Sequence, residues 1–321
     1  MVSGPWQALI SGIFMILLII PGLPVSGEEN NPGVCQQAYG TIPSNPKLPN
    51  WLETNVKAGD LYSTNRFDIL AGHLLFTGFV DGSRCSGWGL TADGSPNGCG
   101  VEVARPAVVE WQNQFNEAIA QTASSLSLPS RLVKAVISVE SQFWPGSDWT
   151  KGEVGLGQLT TAGADMILTW RPGAYTNICS QVYSAESCRR PYANLDPWMQ
   201  AALRGKILQM ADASCPTCKG GVDLEKARQS ITLIGEGITA SCQQSAYLAH
   251  RFGGAAPSTM MSYEDLMKLS LANYHAGSGC TLKALQNSFA NRSWDFLALN
   301  FPQGCQSAPF YVKRVMESIQ P

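Results

Sequence analysis

The sequence predicts a mainly α-helical domain behind an irregular, cysteine-bearing extension. Three observations predict it. Apolar residues recur at helical spacing from Pro106 onward, residues 28–105 are crowded with Pro, Gly, Asn and Ser, and ten cysteines are spread along the chain. A length of 321 residues accommodates one large or two modest domains with an ample core. Charged residues make up only 14% and the formal net charge is -2, so nothing suggests an electrostatic footprint for nucleic acid. That balance leaves sugars and peptides as the more natural partners.

An apolar run over residues 8–20 is followed by Pro21, Gly22 and Pro24, and Val25, Ser26 and Gly27 then offer a signal-peptidase cut before Glu28. Residues 1–27 therefore read as a signal peptide. The segment before the run has no Lys or Arg, so an uncleaved N-terminal anchor is the alternative, although the run falls short of the roughly twenty residues a span needs. Export is the favoured reading. Residues 28–105 form the irregular extension, with Trp51, Trp88, a tight turn cluster from Asp93 to Gly98, and one helix expected near 66–79. Packing under disulfide restraint and a sugar- or wall-binding surface are both compatible with it.

The cysteines fit export. An even count on an exported chain reads as disulfides. Ten cysteines allow about 945 pairings, so connectivity is not legible, and short separation alone suggests Cys85 with Cys99, Cys179 with Cys188, and Cys280 with Cys305. Cys215-Pro-Thr-Cys218 has redox and half-zinc-site readings. Three histidines, no second C-x-x-C and no βαβ context favour a plain structural disulfide.

From Pro106, Val108, Val109, Trp111, Phe115, Ile119 and Thr122 give a helical stripe that ends at the Ser-rich turn before Leu128. The stretch 128–160 is the centre of the chain. Pro129 suits an opening turn, and Pro145 with Gly146 closes the helix. Around Glu140, Val133, Val136, Ile137, Phe143 and Trp144 fall on one helical face. A carboxyl in that stripe either pairs with a distant Arg or Lys or lies at the stripe's edge, or it is held in apolar surroundings that raise its pKa and let it donate a proton. Gly152, Gly155 and Gly157 then let backbone approach a ligand, and Gln158 brings donors and an acceptor.

At these residues the sequence resembles the soluble lytic transglycosylases, which share the lysozyme-like fold with goose-type lysozymes. Glu140-Ser141 matches that family's Glu-Ser at a helix end. Residues 152–158 match its G-A-x-G-L-M-Q loop, residues 273–277 approximate A-Y-N-A-G, and Tyr311, Val312 and Val315 match Y-V-x-x-V. The four motifs stand in the family's order, and the resemblance spans about two thirds of the chain, from Pro106 to Val315. It implies a lysozyme-like helical domain over 106–321, with insertions around 171–190 and 213–262 lying as surface loops or lids. Residues 194–210 are expected as the next core helix, with Trp198, Ala201, Ala202, Gly205 and Leu208 on its apolar side.

The resemblance further implies a peptidoglycan lytic transglycosylase that takes glycan strands as substrate and needs no metal or cofactor. Glu140 is the expected catalytic residue. It first protonates the glycosidic oxygen between N-acetylmuramic acid and N-acetylglucosamine, then as the anion takes the muramoyl 6-hydroxyl proton, closing a 1,6-anhydro ring. The sugar's own acetamido group stabilises the developing cation, which makes a one-carboxylate site sufficient. Ser141, Gly155, Gln158, Tyr274 and His275 are the expected substrate-binding residues, with Tyr274 near the carboxyl and Gln158 on the sugar groove. Trp144 and Trp149 are candidate flat faces for sugar rings, with core packing equally open for Trp144. Three positions depart from the family: His275 replaces Asn, Gly157 replaces Met, and Glu153 replaces a small residue. Two alternatives stand beside this reading. One is a muramidase-type hydrolase of the same fold, with Glu153 or Asp165 orienting water, and the other is a non-catalytic wall-binding envelope protein.

Overall fold

The computed structural model describes residues 33–40, 48–288 and 291–319. The signal-peptide or anchor segment expected at 1–27 lies outside them. Among the described residues the chain is helical throughout, with isolated β-bridges and no sheet. None of these helices is long and apolar enough to cross a membrane.

The helices in order are α1 (Val34–Tyr39), α2 (Asp68–Phe76), α3 (Gly98–Asn113), α4 (Asn116–Leu126), α5 (Ser130–Ser141) and α6 (Thr161–Trp170). Then follow α7 (Pro172–Ser180), α8 (Pro197–Ala211), α9 (Leu224–Gly253), α10 (Tyr263–Asn287), α11 (Trp294–Leu299) and α12 (Ser307–Ser318). The helix expected at 66–79 is α2. The stripe read as one helix from Pro106 is two. It begins earlier, where the Asn97 side chain caps the Gly100 N–H, and it breaks between Asn113 and Asn116. Pro106 lies inside α3. Even so, Val108, Trp111, Phe115, Ile119 and Thr122 are all buried.

The main correction concerns 213–262. Most of that segment is α9, thirty residues long, and it is the axis of the molecule. It packs against α1, α4, α6, α8 and α10. Small residues make this possible. A Cβ on Gly235 would stand 2.7 Å from Leu126 and Thr122, and one on Gly237 would stand 3.1 Å from the Tyr274 ring. Close packing of this kind makes α9 a core element and not a lid. Outside α9 the segment is loop, with 214–221 exposed or half-buried and closed by the Cys215–Cys218 disulfide, and 254–262 leading into α10. In 171–190, α7 buries Tyr175, Ile178 and Cys179 beneath a turn tied by Cys179–Cys188.

The apolar side expected for 194–210 is also corrected. The buried stripe of α8 is Met199, Leu203, Ile207 and Ala211, spaced at i, i+4, while Trp198 is 65% exposed. The pairs Cys85–Cys99, Cys179–Cys188 and Cys280–Cys305 all form, and the remaining bond joins Cys35 to Cys242. Five disulfides fit an oxidising, extracellular or exported setting.

The extension is packed into this body. Buried Lys134, on α5, donates to the Leu61 carbonyl and to the side-chain oxygens of Asn113 and Asn116 (both 2.9 Å). Burial pulls its pKa down to about 7.

Candidate active site

Glu140 lies on the last turn of α5. Pro129 opens that helix in an extended conformation, and Leu132, Val133, Val136 and Ile137 anchor it in the core. The helix ends at Ser141, because Gln142 and Phe143 both turn into the left-handed region (φ 47° and 64°). Phe143 therefore enters the core from a turn, and Trp144 leaves the helical face on which the sequence places it. Trp144 is sandwiched between Trp111 (centroids 5.7 Å) and His73 (4.6 Å, rings 4° apart). It packs and offers no free face. Trp149 is 56% exposed and does.

The glycine loop is bolted to this helix end. Ser141 Oγ donates to the Leu156 carbonyl at 2.8 Å. The Tyr274 hydroxyl donates to the Gly157 carbonyl at 3.1 Å. Gly155 takes φ 69°, and a Cβ there would stand 2.3 Å from the Ala211 carbonyl oxygen. Only glycine fits that position. Gln158 also has positive φ (44°), and its amide nitrogen donates to the Gly155 carbonyl at 2.7 Å. Ser141, Gln158 and Tyr274 thus each donate to a backbone carbonyl of the loop, and Gly155 supplies its tightest turn.

Gly157 has a steric reason. A Cβ there would stand 2.7 Å from Ile234 Cγ1 and 3.1 Å from the Tyr274 hydroxyl. Ile234 and Tyr274 fill the space that any side chain at 157 would need. Gly157→Met is expected to cost about 1–3 kcal/mol by overpacking, measured as a fall in unfolding free energy. An unchanged stability contradicts this account of the loop.

Around the Glu140 carboxyl the environment is apolar and phenolic. Burial pushes its pKa up to about 7, and the neighbouring Glu153 charge adds to the rise. The Tyr311 hydroxyl and the Arg314 charge work in the other direction. Tyr311 is only 4% exposed, and its buried hydroxyl acts on Glu140 without a partner at full hydrogen-bonding geometry. The Glu140 charge adds to the burial that raises both Tyr274 and Tyr311, so both phenols stay protonated. His275 is stacked flat on Tyr311 (4.4 Å, 6°) and is otherwise exposed. Its pKa is lowered by burial of that face and by Arg314, and is raised by Glu153.

Four separate segments therefore converge: the end of α5, the loop 152–158, Tyr274 on α10, and Tyr311 on α12. Compared with protein-family models, curated proteins and solved structures, the chain matches none of them. The site stands on its own geometry.

Sequence reading missed two members. Tyr311 is legible there only as part of a motif, and Arg314, one turn on in α12, donates to the Val139 carbonyl at 3.4 Å. Their i, i+3 spacing was the available signal. Asp165 accepts from Tyr192 (2.6 Å) and Arg204 (2.9 Å) in a separate network. No cluster of potential metal ligands occurs among the described residues.

Tyr311→Phe removes a hydrogen-bond donor that favours the Glu140 anion. The Glu140 midpoint is expected to rise further, by about one unit, carrying the alkaline limb of any pH–activity profile with it. A limb that stays in place removes Tyr311 from the site's electrostatics.

Proposed function

We propose that this chain is a lytic transglycosylase of lysozyme-like architecture that cleaves the MurNAc–GlcNAc β-1,4 bond of peptidoglycan and releases 1,6-anhydro ends. The observation that carries this reading is Glu140: one carboxyl, drawn out of water beside two protonated phenols, at the edge of a glycine loop. A group with a midpoint near 7 is protonated often enough to donate and basic enough to accept. That is what a single acid then base requires.

In the first step Glu140 gives its proton to the glycosidic oxygen as the C1–O bond breaks, and the substrate's acetamido oxygen closes on C1. In the second the Glu140 carboxylate takes the 6-hydroxyl proton while O6 displaces the acetamido group. Tyr311 supports the anion formed between the steps. Tyr274 holds the loop that carries Gln158, and Trp149 supplies an exposed ring for a sugar face. The five disulfides agree with work at the cell envelope or outside the cell. The deciding experiment is wall clearing by the mature chain and by Glu140→Gln. Clearing lost in the variant supports the enzyme. Equal clearing leaves a wall-binding scaffold.

A further inference from the structure

We propose that the Cys215–Cys218 disulfide is a redox switch for the Glu140 site, opened by a dithiol reductant and closed by reoxidation. This rests on the glycan-cleaving reading above and adds a regulation to it. The pair is the target of thiol exchange and not the dithiol of a redox enzyme.

The bond differs from the other four in its exposure. Each of those buries at least one of its cysteines (Cys35 and Cys242, Cys85, Cys179, Cys305), whereas Cys215 and Cys218 are both half-buried among exposed neighbours. A loop with a sequence separation of three restrains little chain, so the bond adds little to global stability. Exposed disulfides are also the ones that exchange readily. What this bond holds is local. Around it the chain forms a small hairpin, in which Ser214 bridges Val222, the Cys215 N–H donates to the Gly221 carbonyl (2.8 Å), and the Gly221 N–H donates to the Cys218 carbonyl (3.0 Å).

Both ends of the hairpin bear on the candidate site. At its base, Ala211 supplies the carbonyl against which Gly155 packs, and Asp212 accepts from the hydroxyls of Ser147 (2.7 Å) and Ser214 (2.6 Å). Ser147 directly precedes the Asp148–Glu153 bridge that leads into the glycine loop. At its tip, a Cβ on Gly220 would stand 2.1 Å from the Phe79 ring, and the Lys219 ammonium lies 4.6 Å from the centre of the same ring. Phe79 meets Trp111 edge-on (5.0 Å), Trp111 stacks on Trp144, and the Trp111 indole N–H donates to the Phe143 carbonyl (2.9 Å). Two routes therefore run from the hairpin to the residues beside Glu140. One ends at the glycine loop and the other at the turn that closes α5. Opening the disulfide frees the tip and loosens both.

The exchange balances. One thiolate of the reductant bonds to Cys218 Sγ as the S–S bond breaks, and Cys215 Sγ leaves with the electron pair. A disulfide sulfur carries no proton, so the Thr217 hydroxyl is the donor in its 3.7 Å contact with Cys215 Sγ, where it also serves the departing thiolate. The reductant's second thiolate then displaces Cys218 Sγ and closes the reductant's own disulfide. Two electrons pass to the pair, and its two thiolates take up the two protons that the reductant's thiols release.

The test treats the intact, oxidised protein with graded dithiothreitol, followed by alkylation and peptide mapping. Cys215 and Cys218 are expected to be labelled before any other cysteine. At the dose where they alone are labelled, release of soluble muropeptides from purified sacculi should fall at least about tenfold, the scale that small displacements around a reacting centre produce. Oxidised glutathione should restore it. Amide hydrogen exchange over residues 144–158 should rise at the same dose. The Cys215→Ser, Cys218→Ser double variant should show the low activity without dithiothreitol and no response to it, with an unfolding free energy close to wild type. Earlier labelling of another pair, unchanged release with this pair reduced, or wild-type release from the double variant overturns the switch. The wild-type series decides alone if the variant does not fold. Oxidised wild type that releases nothing defeats the glycan-cleaving reading instead, and amide exchange then still decides whether the bond governs the loop.

Discussion

Glu140→Gln is expected to reduce wall-clearing activity by about 10³-fold, near the middle of the range that general acid–base catalysis supplies. The substitution keeps shape and hydrogen-bonding capacity while removing the transferable proton, so binding to the wall should persist. It is also expected to stabilise the fold. In the native protein the Glu140 midpoint lies near 7, against an ordinary 4.5. Between those values the folded state holds more protons than the unfolded chain, so native stability falls as pH rises from about 4.5 to about 7 and then levels off. The neutral amide escapes that loss. The variant's advantage should therefore be absent below pH 4.5, grow through the window, and approach an upper limit of about 3 kcal/mol at pH 8. Denaturant melts at pH 4 and pH 8 check it. A variant that loses activity and gains no stability at pH 8 would show that the carboxyl is not desolvated.

The second large effect concerns Cys35–Cys242. This bond closes a loop with a sequence separation of 207 and ties the short helix α1 to the central helix α9. Chain-entropy arithmetic gives about 5 kcal/mol for a loop of that length. The Cys35→Ala, Cys242→Ala double variant should lose most of that amount in unfolding free energy. The Cys215–Cys218 bond closes a loop of separation three, and its double variant should lose far less. Equal losses from the two pairs would contradict the loop-length account.

What the sequence reveals follows from how local each cause is. The start of α5 is legible because Pro129 acts on its own neighbours. Its end is not, because the left-handed turn at Gln142 and Phe143 involves no glycine and is held by Phe143 entering the core. A helical count therefore runs on and places Trp144 on the wrong surface. The Glu140 environment is legible from its apolar stripe, and the glycine loop from its composition. Tyr311 comes from a helix 171 residues away in the chain, and only packing brings it to the carboxyl. The axis helix α9 was hidden for the opposite reason. Between Ile231, Ile234 and Ile238 its buried face carries Gly235, Gly237, Ala240 and Ser241, small residues that read as loop yet allow the closest approach. In α8 the large ring of Trp198 misdirects the reading, while smaller Met199, Leu203 and Ile207 make the contact. The Cys35–Cys242 pairing has no local cause at all.

Carbon-13 NMR titration of the Glu140 side-chain carboxyl in the intact, oxidised protein tests the central claim most directly, with Glu140→Gln to assign the resonance. The account predicts a midpoint near pH 7. A midpoint near 4.5 would mean a carboxylate in water, and would contradict both the buried acid and the reaction built on it.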